Sequence, residues 1–270
     1  MPSRPPALFL HANGFAPGAY TPLRQALEQR LRLVAPPLRP VGRSDTPPPT
    51  LQWSDLADDA VRVLDEHDID RAIAIGHSMG GTILTYAAAA HPDRFTALAF
   101  IEPAMVRPWQ AAVVRWLPAL VRHQLQPAKA TFAKRDTWPD EAAFRASCAK
   151  SGLYEGLSAE AMGAFVRAAI EPGGDGVRLT FPKAWEAHFY ATPPFPGEAL
   201  GRVQAPVVGL RGASSVFLDD ARWTQLVARQ PSGWFRQLGE HGHLLPLEAP
   251  EATADALLEG LRAQGVLPGP

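Results

Sequence analysis

Short apolar runs alternate with longer amphipathic stretches along the chain. Ala7–Leu10, Leu31–Ala35, Ala72–Ile75, Ala97–Ile101 and Val207–Leu210 are brief and almost wholly apolar, and Trp234–Leu238 is a weaker sixth run. Runs of this length suit strands buried on both faces of a sheet. Between them, Tyr20–Gln29, Trp53–Glu66, Gly81–Ala90 and Asp219–Ala228 read as helices. Such alternation predicts an α/β fold with a mostly parallel sheet and right-handed crossovers.

The middle of the chain breaks this rhythm. From Ala104 to Phe195 no run reads as a strand, and the segment is rich in Ala, Arg and aromatic residues. Prolines at 108, 118, 127, 139 and 172 punctuate it, and Thr192-Pro-Pro-Phe-Pro-Gly197 reads as a linker. An all-helical cap, residues 104–195, is therefore expected between two parts of an α/β core, residues 1–103 and 196–270.

Composition narrows the choices. With 26 Lys and Arg against 27 Asp and Glu, the net charge is −1. That balance speaks against nucleic acid and gives no support for an anionic membrane surface. The single cysteine, Cys148, has no internal partner and reads as a packing residue. The N-terminal stretch has only a short apolar run, and no segment is apolar enough to span a bilayer. A cytoplasmic monomer or homodimer acting on a small molecule is the expectation.

Candidate chemistry appears first at Gly76-His77-Ser78-Met79-Gly80, extended by Gly81. It follows the run Ala72–Ile75 and opens the helix Gly81–Ala90. That context fits a strand-turn-helix elbow, which presents a serine hydroxyl above the sheet at a helix N-terminus. Glycines flank the serine because side chains there would collide with neighbouring backbone. The amide of Met79 then faces the space that a developing oxyanion would fill. Near the other end, Gly239-Glu-His-Gly-His243 follows the last predicted strand, with Pro246 and Glu248 beyond it. Imidazole suits proton transfer because its unperturbed pKa of about 6.5 lies near working pH.

With these motifs the chain resembles the α/β-hydrolase family, in its cap-bearing serine-hydrolase branch. The resemblance covers both flanks, roughly Ala7–Pro103 and Ala205–Gly260. No room is left for the usual N-terminal hairpin, so a reduced sheet of about six strands is expected. The resemblance implies Ser78 as nucleophile and His243 as base, with His241 beside the site. It also implies an oxyanion hole built from the backbone amides of Asn13 and Met79. Asn13 lies in His11-Ala12-Asn13-Gly14-Phe15, where Ala12 replaces the usual glycine and His11 reads as a loop brace. Dehalogenases and epoxide hydrolases of this family carry Asp at the elbow, whereas Ser78 points to acyl transfer to water.

The acid departs from the family pattern. Its usual position after the penultimate strand holds Ser215 or Val216. Glu102, at the end of Ala97–Ile101, is the preferred replacement, because one group of haloalkane dehalogenases takes its acid from that strand end. Asp219, Asp220 or no acid at all remain open. Candidate pocket aromatics are Phe15, Trp109, Trp116, Trp185, Phe189 and Phe217. A carboxylesterase needing no metal or cofactor is expected. Hydrolysis of a C–C bond, lactone or thioester stays open, as do a lyase or oxygenase and a non-catalytic binding scaffold on the same fold.

Overall fold

Successive side chains of a strand point to opposite faces, so a wholly apolar strand needs cover on both sides. The chain meets that demand with helices. A computed structural model describes residues 4–269. Its first part runs β1 (Pro6–Leu10), α1 (Thr21–Glu28), β2 (Arg32–Val34), α2 (Ala57–Glu66), β3 (Ala72–His77), α3 (Met79–Ala90) and β4 (Phe95–Ile101). An insertion follows. It holds α4 (Pro108–Trp116), α5 (Ala119–Arg122), α6 (Ala128–Ala133), β5 (Thr137–Trp138), α7 (Glu141–Cys148), α8 (Ala159–Ala169), β6 (Ile170–Gly173), β7 (Gly176–Leu179) and α9 (Lys183–Ala191). The chain then returns as α10 (Gly197–Arg202), β8 (Val207–Gly212), α11 (Asp220–Arg229), β9 (Trp234–Leu238), α12 (Leu245–Glu248) and α13 (Pro250–Ala263).

The main sheet has six strands in the order β2-β1-β3-β4-β8-β9. All of its pairings are parallel. Because β2 and β3 lie on opposite sides of β1, the chain leaves β1 and β3 in diverging directions. That divergence opens a crevice at the C-terminal edge of the sheet, where ligands of such folds bind.

Strand alternation sorts the core into two layers. Phe9, Ile73, Ile75 and Ile101 pack with Leu23 and Leu27 of α1 and Leu257 and Leu261 of α13. Leu8, Leu10, Leu98 and Phe100 pack with Leu64 of α2 and Ile83 and Leu84 of α3. Each fully buried Leu, Ile or Phe contributes about 2 kcal/mol of transfer free energy.

The insertion is not all-helical. β5, β7 and β6 form a small antiparallel sheet in that order. β6 and β7 are joined by Gly174-Asp175, with Gly174 at φ +58° as a tight hairpin requires. These strands are too short to show a period of two, and Pro172 and Gly173 sit inside β6 where they read as breakers.

The insertion also has no core of its own. Trp138, Phe144, Cys148 and Phe165 join the layer that holds Phe9 and Tyr20. Phe181, Trp185 and Phe189 join the layer that holds Leu10 and Trp53. By contrast, α4 and α5 bury no residue.

Phe165 is the clearest joint between the insertion and the loop after β1. Its ring lies 5.4 Å from Phe15 and 4.7 Å from Tyr154, centroid to centroid. Phe165→Ala is expected to cost about 3–5 kcal/mol through the cavity it leaves. Urea unfolding followed by tryptophan fluorescence and by circular dichroism should then give one shifted, coincident transition. Two separated transitions would show that the insertion unfolds independently.

Candidate active site

β3 ends in a turn whose flanking positions admit only glycine. A Cβ on Gly80 would sit 2.1 Å from the carbonyl oxygen of Leu10, and one on Gly76 would sit 2.4 Å from the amide nitrogen of Gly81. Ser78 lies between them at φ +49° and ψ −114°. A positive φ on a residue with a Cβ stores about 1–3 kcal/mol. The surroundings hold it there: the Ser78 amide donates to Ile101 O at 3.0 Å, and its carbonyl accepts from the amides of Thr82 and Ala104. The first amides of α3 have no intrahelical acceptor and point towards the crevice end of the helix.

Three side chains meet at the C-terminal edge of the sheet. His243 Nε2 is 3.0 Å from Ser78 Oγ, and His243 Nδ1 is 3.1 Å from Glu102 Oε2. A carboxylate only accepts, so Nδ1 carries the hydrogen and Nε2 is left to accept from the serine hydroxyl. Glu102 follows β4, has φ +49° and is fully buried. Its other contacts are donors as well. The Gly212 amide donates to Oε1 at 2.7 Å, and Ser215 Oγ donates to Oε2 at 2.6 Å. Ser215 in turn accepts from the Leu218 amide at 3.2 Å.

The other acids point elsewhere. Asp219 caps α11 by accepting from the Arg222 amide at 2.9 Å. Hydrogen bonds from the Arg222 side chain and amide hold its carboxyl down at about 2, with help from Arg107. Asp220 pairs with Arg211. His241 turns towards Glu248, 3.4 Å away, and Glu248 also accepts from the Gly242 amide at 2.9 Å.

A second hydrogen-bonded chain runs beneath the first. The Ala12 amide donates to Tyr20 Oη at 3.1 Å, and Tyr20 Oη donates to His77 Nδ1 at 2.7 Å. His77 Nε2 then donates to the His243 carbonyl at 2.8 Å. Burial, reinforced by the neighbouring His243 ring, holds the His77 imidazole well below its ordinary pKa. The chain ties the loop after β1, the elbow and the His243 loop together. The sequence shows His77 only as the variable residue of the elbow and Ser215 only as a residue at the usual place of the acid, and nothing in the pattern singles out Tyr20.

Ser78 and His243 open onto a cavity of about 270 Å³. Asn13, Phe15 and Phe217 line it, together with Met105, Leu153, Phe189 and Tyr190, which are mostly apolar. Phe217 lies against the His243 ring with centroids 4.6 Å apart. Asn13 Nδ2 donates to Glu186 O at 3.1 Å, and Asn13 Oδ1 has no partner. Met79 lends only its backbone to this region, since its side chain is buried in the layer with α2. Three expected lining residues are corrected. Trp109 and Trp116 are 61% and 86% exposed on α4, outside the cavity. Trp185 is buried, donates from Nε1 to Asp45 O at 2.8 Å and carries Arg43 over its ring. Helical aromatics look alike in sequence, and only the packing of the insertion decides which face the cavity.

Residues 5–146 match the family model described as alpha/beta hydrolase fold. Epoxide hydrolase 2 of Siraitia grosvenorii is 35% identical over 101 residues, 36% of this chain and 31% of that protein. The chain spans about a third of the length of the curated relatives it matches. Among solved structures, E-2-(acetamidomethylene)succinate hydrolase superposes with a TM-score of 0.79 at 24% identity, over 96% of this chain and 92% of that one. A peroxisomal alpha-beta-hydrolase of Saccharomyces cerevisiae gives 0.78 at 18% identity, over 99% and 78%. These two likenesses are of fold.

Two outcomes follow from the buried polar groups. Ser215→Ala removes a donor from a buried carboxylate and should lower the unfolding free energy by about 1–3 kcal/mol in urea titrations. His11 is buried, accepts from the Leu38 amide at 3.0 Å, and is lowered by burial from 6.5 to about 4. Between those values the unfolded chain binds a proton that the folded chain refuses. This part of the stability is therefore complete above pH 6.5 and is lost as pH falls towards 4. His11 alone should remove about 2 kcal/mol between pH 7.5 and pH 5. His11→Gln should flatten that slope, and an unchanged slope would refute the assignment.

Proposed function

The chain belongs to the α/β-hydrolase fold family, and we propose that it is a serine hydrolase cleaving carboxylic esters of small to medium apolar molecules. The observation that carries this is the unbroken line Glu102–His243–Ser78, ending at the wall of an apolar cavity. An ester carbonyl bound there meets the Ser78 hydroxyl, whose proton passes to His243 Nε2 as the Oγ–C bond forms. Glu102 keeps Nδ1 protonated and stabilises the imidazolium. The amides of Asn13 and Met79 take the oxyanion, aided by the N-terminal dipole of α3. Collapse expels the alcohol, which leaves with the proton from His243. Water then enters and gives its proton to the same histidine as it attacks the acyl carbon; collapse releases the acid, and His243 returns the proton to Ser78 Oγ.

Segment 104–195 serves as the cap in this scheme. It supplies Ala104, Met105, Val106, Pro127, Leu153, Phe189 and Tyr190 to the cavity wall. These residues enclose the acyl or alcohol part of the substrate and exclude water from it. Serine at the elbow, rather than the aspartate of the dehalogenases and epoxide hydrolases, favours an acyl intermediate.

The test pairs turnover with labelling. The wild type should hydrolyse p-nitrophenyl esters of short and medium acyl chains and react with a fluorophosphonate probe. Ser78→Ala should lose both. Glu102→Gln should lower kcat by about 10³- to 10⁴-fold with little change in KM, because the imidazole loses its orienting partner. Asp219→Asn should leave turnover unchanged. A folded wild type that neither turns over nor labels would refute the proposal.

A further inference from the structure

Helix α4 presents its apolar stripe to solvent. Trp109, Val113 and Trp116 fall at i, i+4 and i+7, one face of a helix. They are 61%, 53% and 86% exposed, and Leu120 on α5 is 85% exposed. No residue of either helix is buried. Large exposed apolar patches on a folded chain mark interaction surfaces.

Charge on this segment is segregated. Residues 103–135 contain six Arg or Lys and no Asp or Glu, in a chain whose net charge is −1. Arg107 pairs with Asp219 and Lys134 with Glu186, on other parts of the chain. Arg115, Arg122 and Lys129 take part in no ion pair among the described residues. Tryptophan and leucine beside unpaired cations on a short helix match the chemistry of a bilayer interface. Indoles sit at the headgroup level there, while cations reach anionic phosphates. A symmetric contact with a second copy would instead set Arg115 and Arg122 against like charges.

We propose that α4 and α5 form a peripheral docking face for an anionic lipid surface. No described helix is long and apolar enough to cross a membrane, so the contact is an adsorption. The face borders the cavity that holds Ser78. Val106, just before α4, and Pro127, just before α6, both line that cavity. Docking would turn the cap towards the lipid, so that an amphiphile leaving the bilayer has a short path to the cavity. The proposal is independent of which bond the chain cleaves.

Cosedimentation with vesicles tests it. The full chain should pellet with phosphatidylcholine vesicles containing phosphatidylglycerol, much less with phosphatidylcholine alone, and less as salt is raised. Arg115→Gln with Arg122→Gln should weaken partitioning about fivefold per cation removed. Trp116→Ser with Leu120→Ser should weaken it at unchanged charge. Circular dichroism should match the wild type in both variants, since none of the four side chains is in the core. Failure of the wild type to pellet with phosphatidylglycerol at low salt would overturn the proposal, as would variants that pellet like wild type. A dimer in light scattering that Trp116→Ser with Leu120→Ser dissolves would assign the face to a second copy instead.

Discussion

The buried carboxylate of Glu102 is the constraint around which the site is arranged. An ion excluded from water needs donors, and it has them from Gly212, Ser215 and His243. These come from the end of β8, the loop after it, and the loop after β9. Glu102 itself directly follows β4. The three strands are neighbours in the sheet, in the order β4-β8-β9. Sheet order therefore decides whether the carboxylate can be satisfied. A change in pairing at that side of the sheet would leave a charge in the core without partners, which costs several kcal/mol.

The other side of the crevice rests on tight backbone. Leu10, Gly76, Gly80 and Gly81 approach closely where β1, β3 and α3 converge. The positive φ of Ser78 is fixed by a hydrogen bond to β4 and one from the segment after it. The Ala12–Tyr20–His77–His243 chain then joins this side to the loop that carries the imidazole. A neutral His77 can donate from one nitrogen and accept at the other, so the chain has one direction from end to end.

Much of this was legible in the sequence because it is local. A strand, a glycine-flanked serine and a helix follow one another, so their pattern announces an elbow. The six strands of the main sheet likewise show as apolar runs, within one or two residues of their observed limits. Glu102 stands out by its place at a strand end, whereas Asp219, the alternative acid, opens a helix and caps it. What failed to show depends on distant parts of the chain. Trp185 and Trp109 are both helical tryptophans of the insertion, yet one is buried and the other is 61% exposed. β5, β6 and β7 are too short to carry a period. Ser215 stands where related chains carry an acid, and it donates to the carboxylate of Glu102 instead. Net charge is likewise a sum over the chain and hides a segment of one sign.

The unequal burial within the insertion has a mechanical consequence. Swinging α8 away from the sheet would bring Phe165 and Val166 into water, at about 2 kcal/mol each. Displacing α4 and α5 would uncover no residue of their own that is now buried. The roof over the cavity thus has a stiff beam and a loose flap. Thermal motion is expected to fall on the flap, whose two ends, near Val106 and Pro127, lie in the cavity wall.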